Sequence, residues 1–246
     1  MPDPVEAAAE LLKRYGNVVA FTGAGISAEA GIPTFRGRGG LWEKYRPEEL
    51  ATPEAFARDP KRVWEWYAWR IDLVLRAEPT FAHRILAKWE KAGILLGVIT
   101  QNVDGLHHRA GSVRVVELHG RLTRARCTGC ERIIELSAPP PEIPPRCPSC
   151  GSLLRPDVVW FGEPLPEGAW LEALDLARSA GVMLVIGTSA VVYPAAELPL
   201  IAKRAGAKLI EVNPEDTPLS RLVDVRLTMG ASRALKEIDA RILGSE

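Results

Sequence analysis

Three side chains capable of acid–base or hydrogen-bonding chemistry stand where apolar runs of this sequence end. His119 follows the run at residues 113–118, and Asn102 and Asp104 follow the run at residues 94–99. An imidazole accepts a proton near neutral pH, and an amide and a carboxylate two residues apart can hold ribose hydroxyls, an ordered water or a carboxamide. A lone histidine is more often structural, but these groups end successive runs. We therefore predict that His119 is a general base and that Asn102 and Asp104 act beside it.

A glycine-rich turn follows the first apolar run, residues 18–21. Gly23 and Gly25 have no Cβ, so backbone N–H groups can approach the pyrophosphate of a dinucleotide, and a helix opening at Ser27 or a neighbour would turn its positive end to the anion. The next glycine, Gly31, comes too late for the fingerprint of hydride-transfer enzymes. A dinucleotide is the predicted ligand, although the turn alone also fits a ligand-free strand-to-helix connection.

The segment at residues 32–42 has too many glycines and arginines for a helix and is too apolar for a solvated linker. We predict an ordered loop that covers a cofactor, with Phe35 shielding or stacking on a ring and Arg36 facing a phosphate. Its glycines would allow open and closed states. A surface loop with one core-facing phenylalanine is the alternative.

All four cysteines stand in two CxxC pairs separated by sixteen residues, Cys127 with Cys130 and Cys147 with Cys150. This spacing is typical of tetrahedral zinc, and four thiolates leave no open position for water, so we predict one structural Zn²⁺. Disulfides are the alternative. The proline-rich segment between the pairs cannot build a core of its own, so metal binding would contribute its folding free energy.

Seven apolar runs of strand length mostly lack the alternation of a half-exposed sheet, which is typical of parallel strands covered on both faces. They lie at residues 18–21, 94–99, 113–118, 158–161, 182–186, 208–212 and 223–227, and helical patterns lie at 6–15, 81–92, 167–179, 195–205 and 233–243. These elements predict an α/β fold: a doubly wound, Rossmann-like parallel sheet with a smaller lobe made of a helical insertion and a zinc-ribbon insertion. Ligands of such sheets bind beyond the carboxyl ends of the strands.

The predicted division of the chain has three parts. Residues 1–34, 81–120 and 157–246 form the Rossmann-like dinucleotide-binding domain, residues 35–80 form the cofactor loop and helical module, and residues 121–156 form the zinc-binding module.

Composition disfavours several classes of function. The 31 basic and 31 acidic residues balance, so no global charge attracts nucleic acid or an anionic membrane. No apolar run is long enough to span a membrane, and residues 1–10 lack the apolar core of a secretory signal. We expect a cytoplasmic protein with no membrane partner and no direct nucleic-acid partner, which weighs against a nucleic-acid-binding zinc ribbon. The sequence leaves the oligomeric state open.

Several motifs, taken in order, resemble those of the sirtuins, which are NAD-dependent protein lysine deacylases. They are GAGISAEAGIPTFRG from Gly23, TQNVDGLH from Thr100, HG at His119, the paired CxxC, VVWFGE from Val158 and GTS from Gly187. The match spans nearly the whole chain. It implies that NAD is consumed rather than reduced, with the acyl oxygen of the modified lysine attacking the ribose carbon as nicotinamide leaves. The implied products are free lysine, nicotinamide and O-acyl-ADP-ribose.

The resemblance also implies roles for individual residues. His119 would be the base acting through the ribose hydroxyls, Asn102 would position ribose or water, and Asp104 with Val103 would face the nicotinamide carboxamide. The full set of predicted NAD contacts is Gly23, Ala24, Gly25, Ile26, Ser27, Glu29, Pro33, Thr34, Phe35, Arg36, Trp42, Gln101, Asn102, Val103, Asp104, Gly187, Thr188, Ser189, Asn213, Pro214, Glu215 and Ala231.

An acyl preference follows from three further residues. Ala51, Tyr67 and Arg70 stand where one sirtuin subclass carries an alanine and a YxxR pair. Tyr67 and Arg70 share a helix face, and a guanidinium beside a phenol would bind the far carboxylate of a succinyl or malonyl group, while the small Ala51 leaves room for it. We expect a deacetylase that also removes succinyl and malonyl groups. Packing of Arg70 on the tryptophans of its helix is the alternative.

Acyl-lysine proteins or peptides are the expected partners. The run at residues 158–161 has an edge that an extended peptide can pair with, so Val159, Phe161 and Gly162 are predicted to contact it, although a core strand is an equal alternative. The alternative function is NAD-dependent mono-ADP-ribosyl transfer, which shares the cofactor but sends the ribose to a protein acceptor.

Overall fold

The chain is described here from a computed structural model over residues 3–36 and 39–244, within which it forms nine strands and ten α-helices. The strands are β1 (Val18–Thr22), β2 (Leu95–Thr100), β3 (Val115–Glu117), β4 (Gly120–Cys127), β5 (Ile133–Glu135), β6 (Leu154–Val158), β7 (Val182–Ile186), β8 (Lys208–Val212) and β9 (Val225–Leu227). The helices are α1 (Pro4–Tyr15), α2 (Leu41–Lys44), α3 (Pro47–Leu50), α4 (Pro53–Arg58), α5 (Pro60–Arg76), α6 (Phe81–Lys91), α7 (Leu106–Arg109), α8 (Glu167–Ser179), α9 (Leu198–Arg204) and α10 (Ala231–Leu243).

The larger sheet has six parallel strands in the order β3, β2, β1, β7, β8, β9. The chain order reverses between β1 and β7, and doubly wound sheets bind dinucleotides at such a switch point. The predicted α/β fold class is confirmed.

Both faces of this sheet are covered, which explains why its strands are apolar throughout. Along β1, Val18 and Ala20 belong to one core with residues of α1, α6 and α10, whereas Val19 and Phe21 belong to a second core with residues of α8 and α9. Adjacent strand residues point to opposite faces. Because both faces of the sheet are buried, polar side chains can lie together only at the ends of its strands.

A smaller lobe joins the helical module and the zinc-binding segment in one core. Its antiparallel sheet has the order β5, β4, β6, and Leu122 and Leu154 of this sheet pack in a cluster with Trp64 and Ile71 of α5. The Trp64 indole Nε1–H also donates a hydrogen bond to the Leu154 carbonyl at 2.7 Å. This lobe uses Gly120 and Val158, which lie outside the predicted zinc module at 121–156, and the predicted domain bounds stay a prediction.

The predicted parallel strand at residues 158–161 is wrong. Only Val158 lies in a strand, β6, which pairs antiparallel with β4 in the smaller sheet. The chain then leaves that sheet, because Gly162 turns with a φ of 88° and the Trp160 N–H donates to the Glu163 carboxylate at 2.8 Å instead of to a strand. An apolar run indicates burial but not which strand it pairs with.

The other six predicted strands are present in the larger sheet, and helices occur at all five predicted positions. The pattern at 195–205 divides into a 3₁₀ turn, Ala195–Glu197, followed by α9. Among the described residues, no helix combines the length and apolarity needed to cross a membrane.

Candidate active site

A cavity of about 620 Å³ lies at the carboxyl ends of β1, β2, β7 and β8, between the larger sheet and the smaller lobe. This volume is in the range of small-molecule and cofactor sites. Most of the predicted site residues line it: Gly23, Ala24, Gly25, Glu29, Thr34, Phe35, Arg36, Trp42, Ala51, Tyr67, Arg70, Gln101, Asn102, Val103, His119, Val159, Phe161, Gly162, Gly187, Thr188, Ser189, Asn213, Pro214, Glu215 and Ala231. Residues far apart in the chain therefore meet in one crevice.

A second, small cavity of about 30 Å³ adjoins the large one and shares Asn102 and Val103 with it. Three predicted site residues, Ser27, Pro33 and Asp104, line the small cavity and not the large one. Asp104 therefore faces a recess at the side of the site rather than its main volume.

The turn after β1 is shaped by close backbone packing. The Gly25 N–H donates to the Gly187 carbonyl at 2.8 Å, and a Cβ built on Gly25 would lie 2.7 Å from the Gly187 Cα. The helix predicted to open at Ser27 or a neighbour is present only as two 3₁₀ turns, Ala24–Ile26 and Ala28–Ala30, and Ser27 directly precedes the second. The Ile26 side chain is fully buried in the core and lines neither cavity. The final Gly37 of the glycine motif lies outside the described residues.

Hydrogen bonding orients the imidazole of His119 within the cavity. Its Nδ1 lies 2.9 Å from the Gln101 carbonyl oxygen, which only accepts, so Nδ1 carries the proton and Nε2 is left as the basic nitrogen. Burial lowers the pKa of His119, and the bond to Gln101 opposes that shift in part. The ring is therefore neutral near pH 7, as a general base must be.

A buried network holds the polar groups that follow β2. Asp104 accepts from the Ser27 hydroxyl at 2.7 Å and from the Leu106 N–H at 2.9 Å, and burial raises the pKa of its carboxyl while these bonds oppose the rise. The Asn102 amide donates to the Gly23 carbonyl at 3.0 Å and to the Ser27 hydroxyl at 3.3 Å. Both side chains are thus fixed relative to the glycine turn.

The loops after β2, β7 and β8 are bonded to one another through Thr188. Gln101 donates to the Thr188 hydroxyl at 2.8 Å, and the Asn213 amide donates to the Thr188 carbonyl at 2.9 Å. The Glu215 N–H in turn donates to the Asn213 side chain at 3.1 Å. These bonds join three loops into one connected wall of the cavity.

Arg70 lies among aromatic rings and lines both the large and the small cavity. It is 8 % exposed, and its guanidinium carbon lies 4.6 Å from the Trp66 ring centroid and 4.9 Å from that of Phe35. Burial lowers its pKa, which the nearby Tyr67 and Asp104 oppose, but no ion pair within residues 3–36 and 39–244 joins Arg70 to a carboxylate. A buried guanidinium without an ion-pair partner is suited to an anionic ligand.

Sequence analysis missed several residues that also line the large cavity. They include Trp66, Trp160, Tyr193, Asp216 and Thr217. Asp216 and Thr217 continue the predicted contacts after β8, and Trp160 lies inside the VVWFGE motif, so the sequence carried a signal for all three. We find no sequence signal for Tyr193.

The four cysteines are free and meet in the smaller lobe, with all four Sγ atoms within 4.8 Å of one another. The Sγ atoms of Cys127 and Cys150 are 3.4 Å apart, and those of Cys130 and Cys147 are 3.8 Å apart. A zinc–sulfur bond of about 2.3 Å gives a tetrahedron with edges of about 3.8 Å. The cluster therefore fits a closed, structural zinc site, and the disulfide alternative is wrong.

The fold and the site define a class first: a Rossmann-like dinucleotide-binding protein whose switch-point cavity faces a smaller zinc-ribbon lobe. Within that class, the chain belongs to the Sir2 family, whose model matches residues 23–194. The sirtuin resemblance is thereby confirmed at the level of the family.

Individual relatives agree with this assignment. The chain is 56 % identical over 230 residues to NAD-dependent protein deacylase 2 of Pyrobaculum aerophilum, covering 94 % of this chain and 92 % of that protein. It is 58 % identical over 224 residues to the NAD-dependent protein deacylase of Aquifex aeolicus, covering 90 % and 93 %.

Solved structures are similar over the whole fold. A Sir2 homologue mutant in complex with ADP-ribose superposes with a TM-score of 0.94 at 49 % identity, covering 97 % of this chain and 96 % of that one. A Sir2 mutant with a deacetylated p53 peptide and 3′-O-acetyl ADP-ribose gives a TM-score of 0.90 at 39 % identity, covering 95 % and 96 %.

Removal of the metal tests the zinc assignment. We expect the protein to contain one zinc per chain and to lose thermal stability when a strong chelator removes it, by on the order of 10 °C, because the segment between the cysteine pairs has little core of its own. Amide hydrogen exchange should rise first in β4, β5 and β6. Zinc, and not magnesium, should restore protection, and unchanged melting after full loss of zinc would contradict a structural role.

Proposed function

We propose that this chain is an NAD-dependent protein lysine deacylase that transfers the acyl group to ADP-ribose and releases nicotinamide. One observation carries the proposal: the neutral imidazole of His119 lines the cavity together with the glycine turn on one side and residues 159–162 on the other. A base placed near both a dinucleotide cradle and a segment that can bind a peptide is suited to joining two substrates. The cytoplasmic location stays a prediction.

The residues present fit NAD. The glycine turn brings bare backbone to the cavity, and a Cβ on Gly23 or Gly25 would collide with Gly187 or Thr188. When bound, NAD supplies an electrophilic ribose carbon and a leaving nicotinamide. In our proposal Thr188, Asn213 and Glu215 contact the adenosine half. The loop bonds hold the Thr188 hydroxyl, the Asn213 amide and the Glu215 backbone N–H in place.

The polar groups at the end of β2 would bind the nicotinamide half. Asp104 faces the small recess with Val103, a position suited to the donor and acceptor of a carboxamide. Asn102 lines both cavities and would orient the ribose or a water. His119 Nε2 would take the proton from a ribose hydroxyl and so raise its nucleophilicity for the step on the acyl carbon.

The acyl-lysine peptide would bind along residues 159–162. Two N–H groups of this segment are already used, since Val159 donates to the His119 carbonyl and Phe161 donates to the Ala51 carbonyl, each at 2.9 Å. The carbonyls of Val159 and Phe161 accept no hydrogen bond from the described residues, so they remain for an extended peptide.

We also propose that the acyl pocket accepts succinyl and malonyl groups. Ala51, Tyr67 and Arg70 line the same cavity. The Arg70 guanidinium has aromatic neighbours, and although Asp104 lies near enough to affect its pKa, no salt bridge joins the two within the described residues. The far carboxylate of a succinyl or malonyl group would form an ion pair with this guanidinium. The enzyme would still remove acetyl groups, because an acetyl group has no far carboxylate and does not need an ion pair with Arg70.

The pH dependence of kcat/KM tests the role of His119. The base must be neutral, and burial holds its pKa below 6.5, so activity should fall on acidification along a limb centred below that value and should be flat above it. H119A should lower turnover by about 10²- to 10⁴-fold while NAD still binds. His108, which lies outside the cavity, offers the matched control, and normal turnover in H119A would remove His119 from the mechanism.

Product stoichiometry separates deacylation from mono-ADP-ribosyl transfer. With an acyl-lysine peptide and NAD, we expect equal amounts of nicotinamide, deacylated peptide and O-acyl-ADP-ribose by mass spectrometry. ADP-ribose attached to protein, or nicotinamide formed without deacylated peptide, would favour the transferase instead.

Substitution of Arg70 tests the acyl pocket. R70M should lower kcat/KM for desuccinylation by about 10- to 100-fold, because a charge-assisted hydrogen bond is lost, with a much smaller effect on deacetylation. R109M is the control, since Arg109 donates to the Val74 carbonyl of the same helix at 3.1 Å but lines neither cavity. Equal losses for both acyl groups would assign Arg70 to packing.

A further inference from the structure

A buried tryptophan donates a hydrogen bond to the phenol of the acyl pocket. Trp160 Nε1–H lies 2.9 Å from the Tyr67 hydroxyl oxygen. Trp160 is 3 % and Tyr67 2 % exposed, and both line the large cavity. The contact joins residues 159–162, which we propose bind the substrate peptide, to helix α5, which also carries Arg70.

The hydrogen bond from Trp160 determines that the Tyr67 hydroxyl is free to donate a hydrogen bond. An indole N–H only donates, so the Tyr67 oxygen must accept, and its own O–H is left to donate elsewhere. Among the hydrogen bonds of the described residues, none is donated by this O–H, although the side chain is buried. Burial also raises the pKa of Tyr67, so the phenol keeps its proton at neutral pH. A buried donor without an acceptor is suited to a ligand oxygen.

The indole itself is held firmly. The Arg155 guanidinium carbon lies 3.6 Å from the Trp160 ring centroid, and Arg155 is paired in turn with Glu163 at 2.6 Å. The Phe56 ring lies 5.3 Å away on another side. The orientation of the N–H is therefore fixed before a substrate enters.

We propose that Trp160 is a positioning residue for acyl specificity, which orients the Tyr67 hydroxyl to donate to the far carboxylate of a succinyl- or malonyl-lysine. The inference rests on the proposed carboxylate pocket of Tyr67 and Arg70. An acetyl group has no far carboxylate, so its removal does not use this donor.

The test compares W160F with the parent on succinyl- and acetyl-lysine peptides of one sequence. The ratio of kcat/KM for succinyl over acetyl should fall by about 3- to 10-fold, mainly through a higher KM for the succinyl peptide, as expected for one neutral hydrogen bond. W64F is the matched control. This substitution also removes a buried indole hydrogen bond, the one from Trp64 to the Leu154 carbonyl at 2.7 Å, but Trp64 does not line the cavity. Its acyl ratio should stay at the parent value.

A double-mutant cycle with Y67F shows whether Trp160 acts through the hydroxyl. In the Y67F background, W160F should change the acyl ratio no further. Should W160F be insoluble, 3-benzothienylalanine at position 160 keeps the bicyclic shape, removes the N–H and gives the same comparison.

The outcomes separate this inference from the function on which it rests. If R70M is selective against succinyl while W160F matches W64F, or if W160F lowers the ratio equally with and without the Tyr67 hydroxyl, the role of Trp160 is overturned and the pocket stands. If R70M affects both acyl groups equally, the pocket is overturned and this inference with it.

Discussion

The close packing of two glycine backbones at the switch point is the constraint on which the rest of the site depends. Gly25 follows β1 and Gly187 follows β7, and a Cβ on Gly25 would lie 2.7 Å from the Gly187 Cα. The two backbones can approach this closely only because neither residue has a side chain, and the Gly25 N–H donates to the Gly187 carbonyl at 2.8 Å, which holds the two loops together as one unit. The bonds that Thr188 makes with Gln101 and Asn213 then extend this unit to the loops after β2 and β8. This wall of the cavity thus depends first on the fit of two backbones and then on side-chain hydrogen bonds.

Most of the sheet and most of the cavity could be predicted from the sequence, because both follow from local signals. Uninterrupted apolar runs indicate buried parallel strands, and residues placed just after such strands, including His119 and Asn102, are brought to one edge. Residues 159–161 could not be placed this way. Their neighbouring strand β6 pairs with β4 at Cys127 and Leu154, beside the cysteine cluster, so its partner is decided by contacts remote in sequence.

Burial also explains a property that no motif reports: three buried ionisable groups, His83, His107 and Tyr67, have pKa values shifted toward their neutral forms. Burial lowers the pKa of His83 to about 4 and lowers that of His107 well below its ordinary value, and it raises that of Tyr67. His83 and His107, whose ring centroids are 4.7 Å apart, lie on different helices. Motif spacing in the sequence therefore does not predict that they meet. Arg70 keeps its charge in this setting, because a guanidinium does not deprotonate in proteins, and its attraction for an anion is strengthened by the low local dielectric.

The segment after β6 connects parts of the site that are far apart in the sequence. Three of its successive residues bond to three different parts of the site: Val159 to the backbone of His119, Trp160 to the phenol of Tyr67 and Phe161 to the backbone of Ala51. In the function proposed above, a peptide that pairs with this segment would be placed in register with His119 and with the proposed acyl pocket by the same short stretch of chain. Because these three bonds come from consecutive residues, a shift of one contact would shift the others, so the proposed function requires the acyl chain and the proton acceptor to be positioned together.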